Sequence, residues 1–438
     1  MSSSIHLRTP LLAWVYAGLF CGTLLPVPAK SEPASYHWVQ MVPGGGAEAR
    51  LVTAAPSCPP ASVNGHVVAM TVRAEPSPPD YPVRLCVLAL PPGTTEATLV
   101  DRPLPLPPVS PERILVVGDT GCRIHKRQVQ ACNDPAAWPW ARIAATAAAL
   151  RPDLVLHVGD YYYREDPCPE GNKGCAGSPY GDNWATWEAE YFAPARPLLE
   201  TAPMVLVRGN HEDCKRGGAG WTRLLDPYPY SKDQPCRAAS EPFGVSFDNL
   251  SLAVMDVADA GELVTMSRDV QRYAADFRTV AELARATDLP TWILMHRPIR
   301  GIAWMKTAAG LSLSIGGNNT LEKASAQGGL PPQVKAILSG HIHAFEALNF
   351  SGDPVQLVVG HGGDALDEGL PVKLDGEVVN DRKVDSGVSV DDFGFLLLTR
   401  NGNDWHGRVL GPSGTPRLTC DLRERSIACH PPAGEIRP

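Results

Sequence analysis

Arg113-Ile114-Leu115-Val116-Val117-Gly118-Asp119-Thr120-Gly121 sets a pattern that the chain repeats: a short apolar run, a glycine, then a polar side chain. The pattern returns at residues 154–158, followed by Gly159-Asp160, and at residues 204–207, leading into Gly209-Asn210-His211. Helix-compatible stretches at 141–150 and 184–199 separate these runs. Short apolar runs of this kind read as buried strands, and strand–helix–strand alternation predicts an α/β layer architecture. Further strands are expected at 244–247, 252–256, 292–295, 336–338 and 356–359.

The chemistry lies at the ends of the strands. Five of them end in ligand-type groups: Asp119, Asp160, Asn210 with His211, His296, and His341 with His343. In open α/β sheets the carboxyl ends of strands meet in one crevice, so these side chains are expected to converge. Two carboxylates, an amide oxygen and three imidazoles suffice for two cations sharing one carboxylate. Two such cations can clamp a phosphoryl group and activate water. Taken singly, an aspartate after a strand is more often a cap or turn former. The ordered set overturns that reading. His157, inside its strand, and Asp256, at the end of another, read as structural.

Outward from this core the grammar changes. Residues 30–108 carry short apolar alternations rich in Pro and Gly, which predict a small β-rich domain, and the prolines between 103 and 111 read as a linker. The main domain is expected over 109–412, with a disulfide-closed hairpin and tail over 413–438. Residues 1–29 read as an export signal: Arg8 precedes an apolar run at 11–25, and Val27-Pro28-Ala29 offers a cleavage point. The run is too short and broken for a membrane span, so no anchor is expected after removal.

Eleven cysteines include Cys21; the other ten fall in close couples, 58/86, 122/132, 168/175, 214/236 and 420/429. Five local disulfides in an oxidising, secreted or periplasmic setting account for them; zinc knuckles are the alternative, but no couple has the two-residue spacing they favour. The 438 residues, 44% hydrophobic, can form one large core and a satellite domain. A net charge of −8 without basic runs gives no sign of a nucleic-acid partner.

The blocks Gly118-Asp119-Thr120-Gly121, Gly159-Asp160-Tyr161-Tyr162-Tyr163, Gly209-Asn210-His211-Glu212, Met295-His296 and Gly340-His341-Ile342-His343-Ala344-Phe345-Glu346 resemble, in order, the calcineurin-like metallophosphoesterase superfamily. Within it the chain is similar to the purple acid phosphatase branch. Gly121 stands where most members carry a histidine, and Tyr163 stands where that branch supplies a tyrosine. The resemblance implies a four-layer α/β/β/α sandwich preceded by the β-rich domain. It implies one metal on Asp119, Asp160, Tyr163 and His343, and a second on Asp160, Asn210, His296 and His341. The pair would be Fe(III) with divalent Zn, Mn or Fe. His211 would protonate the leaving group while a metal-bound hydroxide attacks a small phosphorylated substrate.

Phosphomonoester hydrolysis is the expected activity, with phosphodiester or pyrophosphate cleavage as the alternative and a silent secreted binding protein as the rival class. No Gly-x-Ser-x-Gly motif competes. Glu212 and Glu346 are expected to hydrogen-bond ligand histidines. Arg123 and Arg297 either meet phosphate or form ordinary salt bridges. His361, in Gly360-His361-Gly362-Gly363, either touches substrate or sits in a plain turn. Asn249, Asn318 and Asn349 head glycosylation triplets.

Overall fold

The computed structural model describes Met1 and residues 35–306, 312–367 and 369–432. The expected export segment and the end of the C-terminal tail lie outside the described residues.

Two sheets stack face to face. The first has the order Ser426–His430, Pro416–Arg423, Asp404–Leu410, Phe395–Asn401, Arg113–Val117, Leu154–His157, Met204–Leu206, Tyr36–Val42, Gly46–Thr53, Arg84–Leu90, Thr71–Ala74. The second has the order Phe243–Ser246, Ser251–Val254, Thr291–Leu294, Val334–Ser339, Val355–Val359, Phe345–Asn349, Ser386–Val390. The central strands of both are parallel.

Side-chain alternation explains why the strands read as continuous apolar runs. Ile114, Val116, Leu154 and Leu156 face inward and share one core with Leu252, Val254, Trp292, Leu294 and Leu338 of the other sheet. Their neighbours Leu115, Val117 and Val155 face outward, beneath the Trp140–Ala149 and Ala193–Leu199 helices. On the far side Ala253, Ile293 and Ile337 pack under the Ser267–Arg285 and Asn319–Gly328 helices. Strands covered on both faces have no solvent side to mark with polar residues. The result is the four-layer α/β/β/α sandwich.

The β-rich N-terminal region is present, but its attachment differs from the satellite expected. Tyr36–Val42 pairs in parallel with Met204–Leu206, and three more N-terminal strands continue the first sheet outward. Val39, Ala49 and Leu51 join the inter-sheet core. Strand pairing across a distant edge leaves no local trace in sequence, whereas the strands themselves do.

All five cysteine couples are disulfides. Among the described residues no helix is long and apolar enough to cross a membrane. The three sequon asparagines are committed internally. Their side-chain amides donate to Pro111 O (2.9 Å, Asn249), Ala260 O (3.3 Å, Asn318) and Ile427 O (2.8 Å, Asn349).

Candidate metal centre

Register brings the strand tips level. Val117 is paired with His157 and His157 with Leu206, while Val254 is paired with Leu294 and Leu294 with Leu338. The chain then turns sharply at each tip. Asp119, Asp160 and His341 adopt left-handed backbones (φ +56°, +55° and +74°), an uncommon state for residues with a Cβ. Gly159 has φ +104°, and a Cβ there would stand 2.5 Å from His296 Nδ1. Only glycine lets the two chains approach this closely.

The seven expected metal ligands meet. Tyr163 Oη lies 3.0 Å from Asp119 Oδ1, 2.9 Å from Asp160 Oδ2 and 3.1 Å from His343 Nε2. His296 Nε2 lies 3.0 Å from the same Asp160 Oδ2 and 3.1 Å from Asn210 Oδ1. His341 joins Asp160 and His296 in a group whose ligand atoms all lie within 4.8 Å of one another. One carboxylate oxygen, Asp160 Oδ2, thus touches both halves of the cluster. All seven are buried except His341, which is partly exposed.

This arrangement suits cations because lone pairs outnumber protons. His296 Nδ1 lies 2.9 Å from Val158 O and His343 Nδ1 lies 2.7 Å from Ala365 O, so each ring keeps one proton there, and Nε2 is the nitrogen that gives up its proton to accept a cation. Those nitrogens then face carboxylate, amide and phenol oxygens. The Tyr163 hydroxyl has one proton for three partners. Against burial, the Asp160 carboxylate raises His296 to about 9, and Asp364 with Asp119 raises His343 to about 10. Burial and the carboxylates of Asp119 and Asp160 push the Tyr163 phenol up as well. The site has a strongly negative potential, which a bound cation would satisfy and which would then favour phenolate.

Position 121 explains a departure from the superfamily pattern. A Cβ on Gly121 would stand 2.6 Å from the Tyr163 ring and 2.7 Å from Glu190. On this backbone any side chain at 121 would have to displace the Tyr163 ring or Glu190.

Several neighbours differ from expectation. Glu212 bonds no histidine; it accepts the backbone N–H of Gly209, Asp160, Tyr161 and Tyr162 at 2.8–3.1 Å. Glu346 accepts from Ile302 N at 3.0 Å. The ligand histidines use backbone carbonyls instead; Glu212 satisfies buried amides of the turns at 160–162 and 209, and Glu346 takes the amide of Ile302 at the start of the Ile302–Lys306 strand. Arg123 pairs with Asp364, and Arg297 with Glu262, so both guanidiniums already hold carboxylates. His361 is fully buried beside the Phe345 ring, out of reach of substrate, and burial lowers it to about 3. His157 packs on Tyr161 with 3.9 Å between ring centroids, and Asp256 caps local amides and pairs with Arg208, both as read from sequence.

Sequence reasoning missed three acids. Glu165 Oε1 stands 2.8 Å from His211 Nδ1, whose ring lies 4.0 Å from that of Tyr163. Glu190, on a π-helical turn at Glu188–Phe192, accepts from Cys122 N at 2.7 Å and Tyr163 N at 2.9 Å. Glu262 Oε1 lies 2.5 Å from His341 Nε2. Glu190 sits on a π-turn, a known marker of functional positions, but a single sequence does not display one, so no sequence signal pointed to these acids. A cavity of about 280 Å³ opens beside His343, lined by Arg123, Gln128 and Asp367 among others. A larger cavity, about 550 Å³, lies at the amino ends of the strands between Trp292 and Trp405, with no candidate ligand in its lining.

Burial raises Glu346 to about 8, with Asp367 adding to it. The folded protein then holds a proton that the unfolded chain releases above about 4.5, so this group's stabilisation declines as pH rises from about 4.5 to 8. Glu346→Gln is expected to flatten that decline by up to about 1.4 kcal/mol per pH unit, read from urea unfolding at pH 5 to 8. Parallel curves for both proteins would contradict it.

Strand-end donors gathered around a shared carboxylate, within a two-sheet sandwich, define a metal-dependent phosphoesterase. The model of the calcineurin-like phosphoesterase family matches residues 112–345, and the chain belongs to that family. Its fold is similar to that of purple acid phosphatase PPD1 from yellow lupin (Lupinus luteus) seeds, at 13% identity and a TM-score of 0.56, over 90% of this chain and 74% of that one. It is equally similar to PhoD, at 10% identity and a TM-score of 0.57, over 90% of this chain and 91% of that one. No curated protein matches the sequence.

Proposed function

We propose that the protein is an exported phosphomonoesterase of the purple acid phosphatase type, with residues 109–412 as its catalytic segment. Asp119, Asp160, Tyr163 and His343 would hold one cation, Fe(III). Asp160, Asn210, His296 and His341 would hold a divalent Zn, Mn or Fe. When bound, the pair supplies charge neutralisation for the phosphoryl group and a water of lowered pKa.

The rest falls to the protein. Asp160 keeps the two halves in register. Val158 and Ala365 carbonyls set the histidine tautomers. His211, with Glu165 at its Nδ1, carries on Nε2 the proton that the leaving alkoxide needs. Glu190 and Glu212 hold the turns that bear Tyr163 and Asp160. Cys122–Cys132, Cys168–Cys175 and Cys214–Cys236 close the loops beside these motifs. The five disulfides support an oxidising destination.

The observation that carries this reading is the Tyr163 hydroxyl lying within 3.1 Å of Asp119, Asp160 and His343, with no room for a side chain at 121. A phenolate on Fe(III) absorbs visible light. The oxidised protein should therefore be coloured, and Tyr163→Phe should bleach it. A colourless wild type, fully active with zinc or manganese alone, would remove the iron assignment. Turnover of an aryl phosphate beside the matching bis-aryl diester tests the substrate class, and faster cleavage of the diester would make this a phosphodiesterase.

A further inference from the structure

His341 is held differently from the other two imidazoles of the centre. His296 and His343 each turn Nδ1 to a backbone carbonyl, Val158 O at 2.9 Å and Ala365 O at 2.7 Å. His341 instead turns Nε2 to a side chain. Glu262 Oε1 lies 2.5 Å away, and Arg297 Nη1 contacts the same carboxylate oxygen. A carboxylate only accepts, so the proton in this contact is on His341 Nε2, and a neutral ring then has its lone pair on Nδ1. His341 also has a ligand atom within 4.8 Å of those of Asp160 and His296.

Both partners in the contact are fixed. His341 N donates to Asp119 Oδ2 at 3.0 Å, which ties its backbone to the other half of the centre. Glu262 stands on the loop after the Ser251–Val254 strand, where Asn319 N donates to Glu262 O (3.1 Å) and Asn318 Nδ2 to Ala260 O (3.3 Å). Arg297, next to His296 in the chain, is joined to the same loop, its Nε donating to Ala258 O at 3.4 Å.

We infer that Glu262 is a positioning residue for the second cation: it holds the His341 ring by Nε2, so that His341 offers Nδ1 to the cation while His296 and His343 offer Nε2. The inference rests on the two-cation reading of the site and adds to it a residue outside the ligand set. A carboxylate that holds a ligand histidine in this way fixes the ring and makes it a stronger donor, and its loss lowers metal affinity about 10- to 100-fold. His341 serves one cation of the two, so the effect should fall on that cation alone.

Two measurements on zinc-loaded protein test this without turnover. In long-range proton–nitrogen spectra of protein labelled in histidine, the signals that vanish in His341→Ala should show zinc on Nδ1 and the proton on Nε2. Zinc per chain, counted after dialysis against buffered free zinc, should show Glu262→Ala losing one ion at about 10- to 100-fold higher free zinc than wild type and keeping the other at wild-type affinity. Glu262→Gln, which keeps an acceptor without the charge, should fall between the two. Adding Glu262→Ala to His341→Ala should cost nothing more, because Glu262 acts through that ring. Zinc on Nε2 of His341, wild-type affinity in Glu262→Ala, or a further loss in the double variant overturns the inference and leaves the two-cation reading standing. Wild type that takes up fewer than two ions removes that reading and the inference with it.

Discussion

Asp160→Asn is expected to lower phosphate-ester turnover by about 1,000-fold or more and to reduce bound metal below two ions per chain. The shared oxygen, Asp160 Oδ2, is 2.9 Å from Tyr163 Oη and 3.0 Å from His296 Nε2, so a single negative charge serves both halves of the centre. Removing it weakens charge stabilisation worth several kcal/mol, at about 1.4 kcal/mol per tenfold in rate. Asparagine keeps the shape, and its oxygen can still accept the His211 N–H that Asp160 Oδ1 now holds at 2.9 Å. Leaving that buried donor unpaired would cost about 1–3 kcal/mol, which is why asparagine is a cleaner probe than alanine. Elemental analysis, turnover and circular dichroism on one preparation check the result. Wild-type turnover with two ions bound would remove Asp160 from the centre.

His211→Asn is expected to cost 10²- to 10⁴-fold in kcat, the range for a positioned general acid. The loss should depend on the leaving group. An aryl phosphate with an acidic phenol needs little protonation, whereas an alkyl phosphate needs a full proton. Glu165 Oε1 stands 2.8 Å from Nδ1 and is expected to position the ring by its charge, so Glu165→Gln should show the same leaving-group trend with about a tenfold loss. The check is log kcat/KM against leaving-group pKa for a series of phosphates. A uniform drop across the series in both variants would reduce His211 to a binding residue.

Much of the centre was legible before any fold was known. Asp119, Asp160, Asn210, His296, His341 and His343 each come after an apolar run, and strand tips in an α/β sheet point one way. Tyr163 needed the resemblance, and the structure adds its physical reason in the space that Gly121 leaves empty. The partners of Glu212, Glu346, Arg123 and Arg297 were not legible. Each bonds a group brought near only by folding: turn amides for Glu212, a strand-end amide for Glu346, Asp364 and Glu262 for the arginines. Glu165, Glu190 and Glu262 were missed for the same reason, since loops and a π-turn carry no periodicity.

The amino-acid sequence by itself determined the alternation of buried strands and helices, the order of donors at their tips and the close couples in which the cysteines fall. These are local properties: the reach of a run, the turn after it, the spacing of a couple. Only the tertiary structure decided that the N-terminal strands extend the first sheet, that Asp160 Oδ2 lies within 3.0 Å of both Tyr163 and His296 and that Glu262 stands beside His341. Those depend on which distant edges pair and which way a loop is pinned, and contacts across hundreds of residues leave no mark on the residues between them.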